Sequence, residues 1–219
     1  QMNRHNIGFM AVDEIAKANS FGPWRSKFQG LFCEGSLGNH RVIILKPSTF
    51  MNLSGQSVDE LARFYKINSQ DITVFHDELD LTPGKCRFKL SGGHAGHNGL
   101  KSIHTHIGEN YKRIRLGIGH PGQKDMVSKY VLENFSKKEQ QWLQKLLKKI
   151  AAEAGHLAND ASEKFTSKIS LNSKNDTKKV KQNNELKVAT PSEKTGLQSD
   201  EKKMQKSTLQ NLMDKFSRK

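Results

Sequence analysis

The chain has 219 residues, with 36 Lys or Arg against 22 Asp or Glu and a net charge of +14. This length provides for one good-sized core without a second full domain, and the positive charge favours a polyanionic partner, nucleic acid first. The two cysteines, Cys33 and Cys86, sit in apolar runs, which indicates a reducing compartment rather than a disulfide framework. With no apolar stretch near the ~20 residues of a membrane span and no signal-peptide pattern, we expect a soluble cytoplasmic protein.

The first elements of the chain alternate between helix and strand patterns. Residues 7–18 place apolar side chains at helical spacing. Two apolar runs at 31–33 and 41–45 flank the turn residues Gly38 and Asn39 and predict a strand pair. A helix follows, capped by Ser54 or Ser57, and its expected core-facing side chains are Val58, Leu61, Phe64 and Tyr65.

The second half of the folded part continues this alternation. Residues 72–75 form a short apolar run, residues 86–90 and 113–118 alternate apolar and basic side chains, and residues 97–107 suit a helix between them. Ser136 and Glu139 have the spacing of a capping box at the start of a long helix. We therefore predict a single-domain α/β fold, a three-layer α/β/α arrangement with a mixed β-sheet.

The composition changes after about residue 166. We predict a folded domain over residues 1–166 and a basic, mostly disordered tail over 167–219, which holds 13 Lys or Arg against 6 Asp or Glu. Within this tail, residues 208–219 carry apolar side chains at helical spacing beside basic ones. They predict a short amphipathic helix for an unknown partner, and a frayed polar end is the alternative.

Five short segments carry most of the functional information. They place titratable and amide side chains beside apolar runs, where folds build sites. Their sequences are NRHNIG at 3–8, TFMNLSG at 49–55, HDELDL at 76–81, SGGHAGHNG at 91–99 and RIRLGIGHPG at 113–122. In order and spacing these segments resemble the bacterial-type peptidyl-tRNA hydrolase family, which cleaves the ester between a peptide and its tRNA. The resemblance covers about residues 3–165.

The resemblance implies a catalytic pair. Ester hydrolysis needs a base to take a proton from water, and an imidazole suits this role near neutral pH. The matching histidine here is His5, and the matching aspartate, Asp77, would hold its tautomer and stabilise the imidazolium. From the residues alone, we place Asp77 just past the end of a strand and interpret Glu78 and Asp80 as turn and solubility residues.

Further residues are expected at the substrate. By resemblance, Asn52 and Asn98 contact the peptide and the acceptor end, and Phe50 lines the same cleft. Asparagine amides can both donate and accept hydrogen bonds, which suits a peptide backbone or a ribose. Helix caps for the asparagines and a core position for Phe50 are the alternatives.

Basic residues alternate along two strands. Arg87 and Lys89 on one, and Arg113 and Arg115 on the other, can each present both charges on one sheet face, suited to phosphate. By resemblance, Lys89 and Arg115 clamp the 5′-phosphate of tRNA, and Arg87 adds a weaker attraction. A solvated charged face is the alternative.

No metal or nucleotide cofactor is expected. His94 and His97 invite a metal interpretation, but no third ligand is evident, and a metal-assisted hydrolase remains a third alternative. We treat His97 as a supporting residue of the site. The glycine-rich segment 91–99 lacks the pattern of a P-loop or dinucleotide fingerprint, and its glycines suit close approach to substrate and a helix start at Asn98.

The beginning of the chain departs from the family. Members start with a buried strand, a Gly-Leu-x-Asn-Pro-Gly loop and a tyrosine before the catalytic histidine, and none of these is in this sequence. We therefore expect an incomplete or misannotated start; a whole chain would instead leave a central position in the sheet empty. Our leading hypothesis is a monomeric enzyme that recycles tRNA from stalled translation, and the rival is a catalytically inactive RNA-binding accessory protein on the same fold.

Overall fold

A computed structural model describes residues 2–170 of the chain. Six strands, six helices and a final helical segment at 162–170 follow one another in mixed order, with short 3-10 turns at Arg4–Asn6, Met51–Leu53 and Ser69–Asp71. The strands are β1 (Arg25–Lys27), β2 (Gly30–Leu37), β3 (His40–Pro47), β4 (Thr73–Glu78), β5 (Cys86–Leu90) and β6 (Lys112–Gly117). The helices are α1 (Ile7–Ala18), α2 (Ser54–Tyr65), α3 (Asn98–Ile107), α4 (Val127–Leu132), α5 (Lys137–Glu153) and α6 (Gly155–Ala158).

The strands form two three-stranded sheets. The first is antiparallel in the order β1-β2-β3, and its β2–β3 hairpin turns at Gly38 and Asn39 as expected. The second is mixed in the order β4-β6-β5, with β4 parallel and β5 antiparallel to β6. The α/β class with a mixed sheet is confirmed, and the structure adds that the strands divide between two sheets.

Helices cover both faces of the mixed sheet. On one face, α1 and α5 bury Ile7, Ile15 and Ile150 against Ile114 and Leu116 of β6. On the other face, Leu100 and Ile103 of α3 and Val58 of α2 pack with Val74 of β4. The apolar residues of β4 alternate between these two clusters, since Phe75 packs in the first and Val74 in the second, so the layers follow from the period-2 pattern of this strand.

A cavity of about 920 Å³ lies between β3 and β4. Its lining includes Ile43 and Leu45 of β3 and Thr73 and Phe75 of β4, and α1, α2 and α3 also contribute. Within residues 2–170, β3 pairs only with β2 and β4 only with β6, so two unpaired strand edges face this space. His5 and His97 line the same cavity.

Several local predictions are confirmed and others are wrong. Helix α1 spans the expected residues 7–18, and Ser136 and Glu139 form the expected capping box of α5. The capping prediction for α2 is wrong, because Ser57 is fully buried and its hydroxyl donates to the carbonyl oxygen of Phe28. The expected core residue Phe64 is 59% exposed. In both cases spacing along the helix did not reveal what packs against it.

The described chain ends in helical residues 162–170, which were not predicted. Phe165 and Ile169 of this segment are buried in the main core, so the predicted domain boundary at residue 166 falls inside packed structure. The predicted tail helix at 208–219 lies outside the described residues. Nowhere in residues 2–170 does a helix reach the combined length and apolarity of a membrane span.

Candidate active site

The site forms at the carboxyl end of β4. The sequence placed Asp77 just past a strand, but β4 continues through Glu78 because residues 73–78 pair in parallel with residues 112–117 of β6. This correction matters for the chemistry, since strand pairing fixes the Asp77 backbone. Its side chain is only 4% exposed and points toward His5.

His5 is held by contacts on both sides along the chain. Before it, the Arg4 guanidinium binds both carboxylate oxygens of Glu139 at 3.0 and 3.1 Å, and the Arg4 amide donates to the Glu133 carbonyl. After it, Gly8 lies so close to β4 that an added Cβ would be 2.2 Å from the Phe75 carbonyl oxygen. The turn that carries His5 is therefore fixed against both the sheet and the start of α5.

Two histidines share one oxygen of Asp77. His5 Nδ1 lies 2.8 Å from Asp77 Oδ1, and His97 Nε2 lies 3.0 Å from the same atom. The Nδ1 of His97 accepts hydrogen bonds from the backbone amides of Gly99 and Leu100, so His97 caps α3 and carries its proton on Nε2. Similarly, a carboxylate on His5 Nδ1 selects the tautomer whose Nε2 lone pair is available.

Burial and hydrogen bonding oppose each other at Asp77. Burial disfavours the charged carboxylate, but the hydrogen bonds from His5 and His97 outweigh it and hold the pKa of Asp77 well below its usual range. Asp77 is therefore ionised throughout the physiological range, as a partner for an imidazolium must be. The adjacent His76 is instead uncharged in the physiological range, because burial lowers its pKa to about 3.

His5, Asp77 and His97 are also a candidate metal group, since their ligand atoms lie within 4.8 Å of one another. The contacts of 2.8 and 3.0 Å between these atoms are hydrogen-bond distances, shorter than the roughly 3.3 Å between ligands of a tetrahedral zinc site. The predicted alternative of a metal between His94 and His97 does not fit, because both ring nitrogens of His97 already have partners. The donor set therefore fits a hydrogen-bonded histidine–aspartate cluster better than a metal site.

The two asparagines and Phe50 lie on neighbouring elements. Asn98 is the first residue of α3, and Asn52 lies in the 3-10 turn Met51–Leu53, which packs against α3 through Met51 near Gly99. Both asparagines are exposed, and Phe50 is 79% exposed. His97, rather than Asn98, caps the helix. Neither the cap explanation for Asn98 nor the core explanation for Phe50 therefore applies.

The four basic strand residues share one face of the mixed sheet. Arg87 of β5 is in register with Arg115 of β6, and Lys89 is in register with Arg113. Like charges directly opposite each other on neighbouring strands destabilise a sheet, so a bound anion would relieve their repulsion. Arg87 and Lys89 are exposed, and Arg115 is 26% exposed.

Arg113 differs from the other three. Its guanidinium is buried and donates to the carbonyl oxygens of Ser91, Gly92 and Gly93, with the contact to Gly93 at 2.9 Å. The prediction that Arg113 and Arg115 together present their charges to phosphate is wrong for Arg113. It instead ties the glycine-rich segment to the sheet just before His97.

Glu78 is a residue whose role the sequence did not reveal. We interpreted it as a turn and solubility residue, but it is buried and its Oε2 accepts a hydrogen bond from Arg115 Nε at 2.8 Å. The alternation of β4 places Glu78 on the same face as His76, toward the basic residues of β6. The contact between Glu78 and Arg115 follows from the parallel register of β4 and β6. The sequence alone does not show that these two strands are neighbours.

Comparisons with known proteins agree with this architecture. The family model for peptidyl-tRNA hydrolase matches residues 1–181. The peptidyl-tRNA hydrolase of Cereibacter sphaeroides is 61% identical over 169 residues, covering 77% of this chain and 75% of that protein. That of Rhodospirillum centenum is 54% identical over 171 residues, covering 78% and 75%. The crystal structure of peptidyl-tRNA hydrolase from Acinetobacter baumannii matches with a TM-score of 0.73 at 38% identity, over 77% of this chain and 86% of that one.

An α/β domain with a hydrogen-bonded histidine–aspartate pair at a sheet edge is typical of hydrolases that activate a nucleophile by proton transfer. The coverage and the sequence identity of the matches define the particular family of hydrolases. The chain belongs to the peptidyl-tRNA hydrolase family.

Proposed function

We propose that this protein hydrolyses the ester bond between a peptide, or an N-blocked amino acid, and the 3′-terminal ribose of tRNA. The observation that carries the proposal is the 2.8 Å hydrogen bond between His5 Nδ1 and Asp77 Oδ1 in a chain of this family. This bond leaves His5 Nε2 as a proton acceptor beside a cavity, where a water molecule and the ester can meet.

In the proposed reaction, His5 Nε2 takes a proton from water while the water oxygen attacks the ester carbon. The ester carbonyl oxygen becomes an oxyanion, and the resulting imidazolium is stabilised by ionised Asp77. When the C–O bond to the ribose breaks, the ribose oxygen receives the proton from His5. The products are a tRNA with an intact terminal ribose and a peptide carboxylic acid, which releases its remaining proton to solvent to become the carboxylate. His5 is then neutral and can accept a proton again.

His97 is proposed to keep this pair in place. Since α3 amides fix its Nδ1, its Nε2–H is directed at Asp77 Oδ1, the atom that also binds His5. The carboxylate therefore cannot rotate without losing two hydrogen bonds. Asn52 is proposed as a donor to the oxyanion or an anchor for the water, Asn98 as a contact to the acceptor end, and Phe50 as an apolar contact to the peptide.

The basic face is proposed to bind the tRNA backbone. Lys89 and Arg115 would contact the 5′-phosphate, and Arg87, in register with Arg115, would add an attraction that salt weakens. We further propose that the enzyme acts as a monomer in the cytoplasm, recycling tRNA from stalled or aborted translation, without a metal or organic cofactor.

The decisive experiment measures release of N-acetyl amino acid from N-acetyl-aminoacyl-tRNA by the parent protein and by His5→Ala. We expect His5→Ala to lower kcat about 10³-fold, because general-base catalysis contributes roughly 10²- to 10⁴-fold. His120→Ala, at an exposed histidine, is the matched control and should retain parental kcat. Unchanged hydrolysis in His5→Ala would refute the assignment of the base. If the folded parent binds tRNA without hydrolysing it, the RNA-binding accessory protein becomes the better explanation.

A further inference from the structure

Glu78 stands out because it is a carboxylate on a face that otherwise collects cations. It shares this face of the mixed sheet with Arg87, Lys89, Arg113 and Arg115. A negative charge here weakens the attraction for phosphate, so its position calls for a compensating role. An ion pair that only joins β4 to β6 would be one such role, and the geometry of the pair supports a more specific one.

The carboxylate of Glu78 is held rigidly. Its Oε1 accepts the backbone amide of Asp80 at 3.3 Å while its Oε2 accepts from Arg115, and its side chain is only 10% exposed. The loop after β4 crosses the same sheet so closely that a Cβ added at Gly117, the register partner of Glu78, would lie 2.2 Å from the Thr82 carbonyl oxygen. Glu78 therefore has little freedom to move away from Arg115.

Arg115 is engaged through one atom of its guanidinium. Nε donates to Glu78, and no other hydrogen bond of the Arg115 side chain appears among residues 2–170. A guanidinium is planar, so fixing the Nε–H direction also fixes the plane in which the two terminal nitrogens lie. These nitrogens form the fork that binds two phosphate oxygens at once. Arg113, two residues earlier, shows the contrast, since its terminal nitrogens are used by loop carbonyls.

We propose that Glu78 is a positioning residue that aims the Arg115 guanidinium at a terminal phosphate and thereby sets the selectivity for 5′-phosphorylated tRNA ends. This inference rests on the proposed role of Arg115 in tRNA binding. Glu78 touches neither substrate nor reacting atoms. Its negative charge reduces the general attraction for polyanions. Its hydrogen bond from Arg115 gives the contact between that guanidinium and phosphate a defined geometry.

The test compares binding of two acceptor-stem RNA hairpins that differ only in a 5′-phosphate, measured by fluorescence anisotropy with the full chain. We expect the parent to bind the phosphorylated hairpin roughly tenfold more tightly, as a charge-assisted bidentate contact allows. Glu78→Ala should reduce this preference to roughly twofold, with little change in Kd for the hairpin that lacks the phosphate. Glu78→Gln keeps an oxygen that can accept from Nε, and should retain an intermediate preference.

Two controls separate positioning from charge and from stability. Asp80→Asn removes the same charge from an exposed position two residues away and should leave the preference unchanged. In an Arg115→Ala background, Glu78→Ala should cause no further loss of preference, because Glu78 acts through Arg115. If Glu78→Ala fails to fold, Glu78→Gln in the two backgrounds provides the same comparison.

A preference that survives in both Glu78 variants, or equal weakening for both hairpins, would overturn the proposal and leave Glu78 as a structural ion pair. So would a further loss of preference in the Arg115→Ala background. Binding and hydrolysis are separate readouts here. A phosphate preference that depends on Glu78 in a protein without esterase activity would refute the proposed enzyme and support the positioning role.

Discussion

The histidine–aspartate cluster (His5, Asp77 and His97) and the basic face both lie at the mixed sheet, but their side chains differ in how exposed and how fixed they are. At the cluster, Asp77 is buried and its Oδ1 is shared by two histidines, so each group fixes another. On the basic face, Arg87 and Lys89 are exposed. Proton transfer requires atoms already placed at hydrogen-bond distance, whereas attraction of a phosphate backbone requires accessible charge. The comparison predicts that cluster variants change kcat and basic-face variants change KM.

The largest effect is expected from Asp77→Asn. An asparagine can donate an N–H to His5 Nδ1. This selects the tautomer that carries its proton on Nε2, so Nε2 has no lone pair with which to accept a proton from water. We expect kcat to fall about 10³-fold with KM changed less than about threefold, measured by steady-state hydrolysis of N-acetyl-aminoacyl-tRNA. Asp80→Asn is the control and should keep the parental kcat. A main effect on KM would remove the distinction between the two regions.

A smaller effect is expected in the dependence of stability on pH, through His76. Its pKa is lowered to about 3 in the fold, against about 6.5 in the unfolded chain. Between these values the unfolded chain binds more protons, so the free energy of unfolding should fall as pH drops below 6.5, by up to about 1.4 kcal/mol per pH unit.

Urea unfolding of the parent and of His76→Asn at pH 7.5, 6.5 and 5.5 measures this contribution. The variant should lose less stability than the parent between pH 6.5 and 5.5, whereas His120→Asn, at an exposed histidine, should follow the parent. Parallel curves for the parent and His76→Asn would show that burial does not control this histidine. The result bears on the comparison, because it shows whether burial keeps the histidine beside Asp77 uncharged while the basic face keeps its charges accessible.

The smallest effect is expected from Lys89→Gln on the basic face. An exposed lysine that contacts phosphate should contribute about one unit to the slope of log Kd against log salt concentration. We expect Lys89→Gln to reduce this slope by about one and to raise KM several-fold near physiological salt, with kcat unchanged. Lys145→Gln, an exposed position on α5, should match the parent in tRNA titrations at several salt concentrations. An altered kcat would place Lys89 in the catalytic region instead.

Sequence patterns predicted which face of a strand each side chain occupies better than they predicted which groups it contacts. Alternation placed Arg113 and Arg115 on one face, and the structure agrees. It could not show that Arg113 lies beneath the carbonyl groups of residues 91–93, since that depends on where a glycine-rich loop folds back. Likewise, Ser57 was one of two predicted caps of α2, but α2 begins earlier and buries this serine against the turn between β1 and β2 at Phe28.

The candidate site shows the same limit. The five ordered segments supplied His5, Asp77 and His97 from positions 72 and 20 residues apart, because resemblance carries long-range information that periodicity lacks. The local arrangement of His97, with one nitrogen on helix amides and the other on Asp77, depends on the start of α3 relative to β4. No pattern within the segment 91–99 specifies that placement.

Glu139 links the beginning of α5 to the turn that carries His5. Its carboxylate accepts from the Ser136 amide in the capping box and also binds the guanidinium of Arg4. The first turn of this long helix and the turn that carries His5 should consequently open as one cooperative unit in native-state hydrogen exchange. Local melting at the start of α5, which packs on the same face of the sheet as α1, would then displace His5 well before the chain unfolds globally.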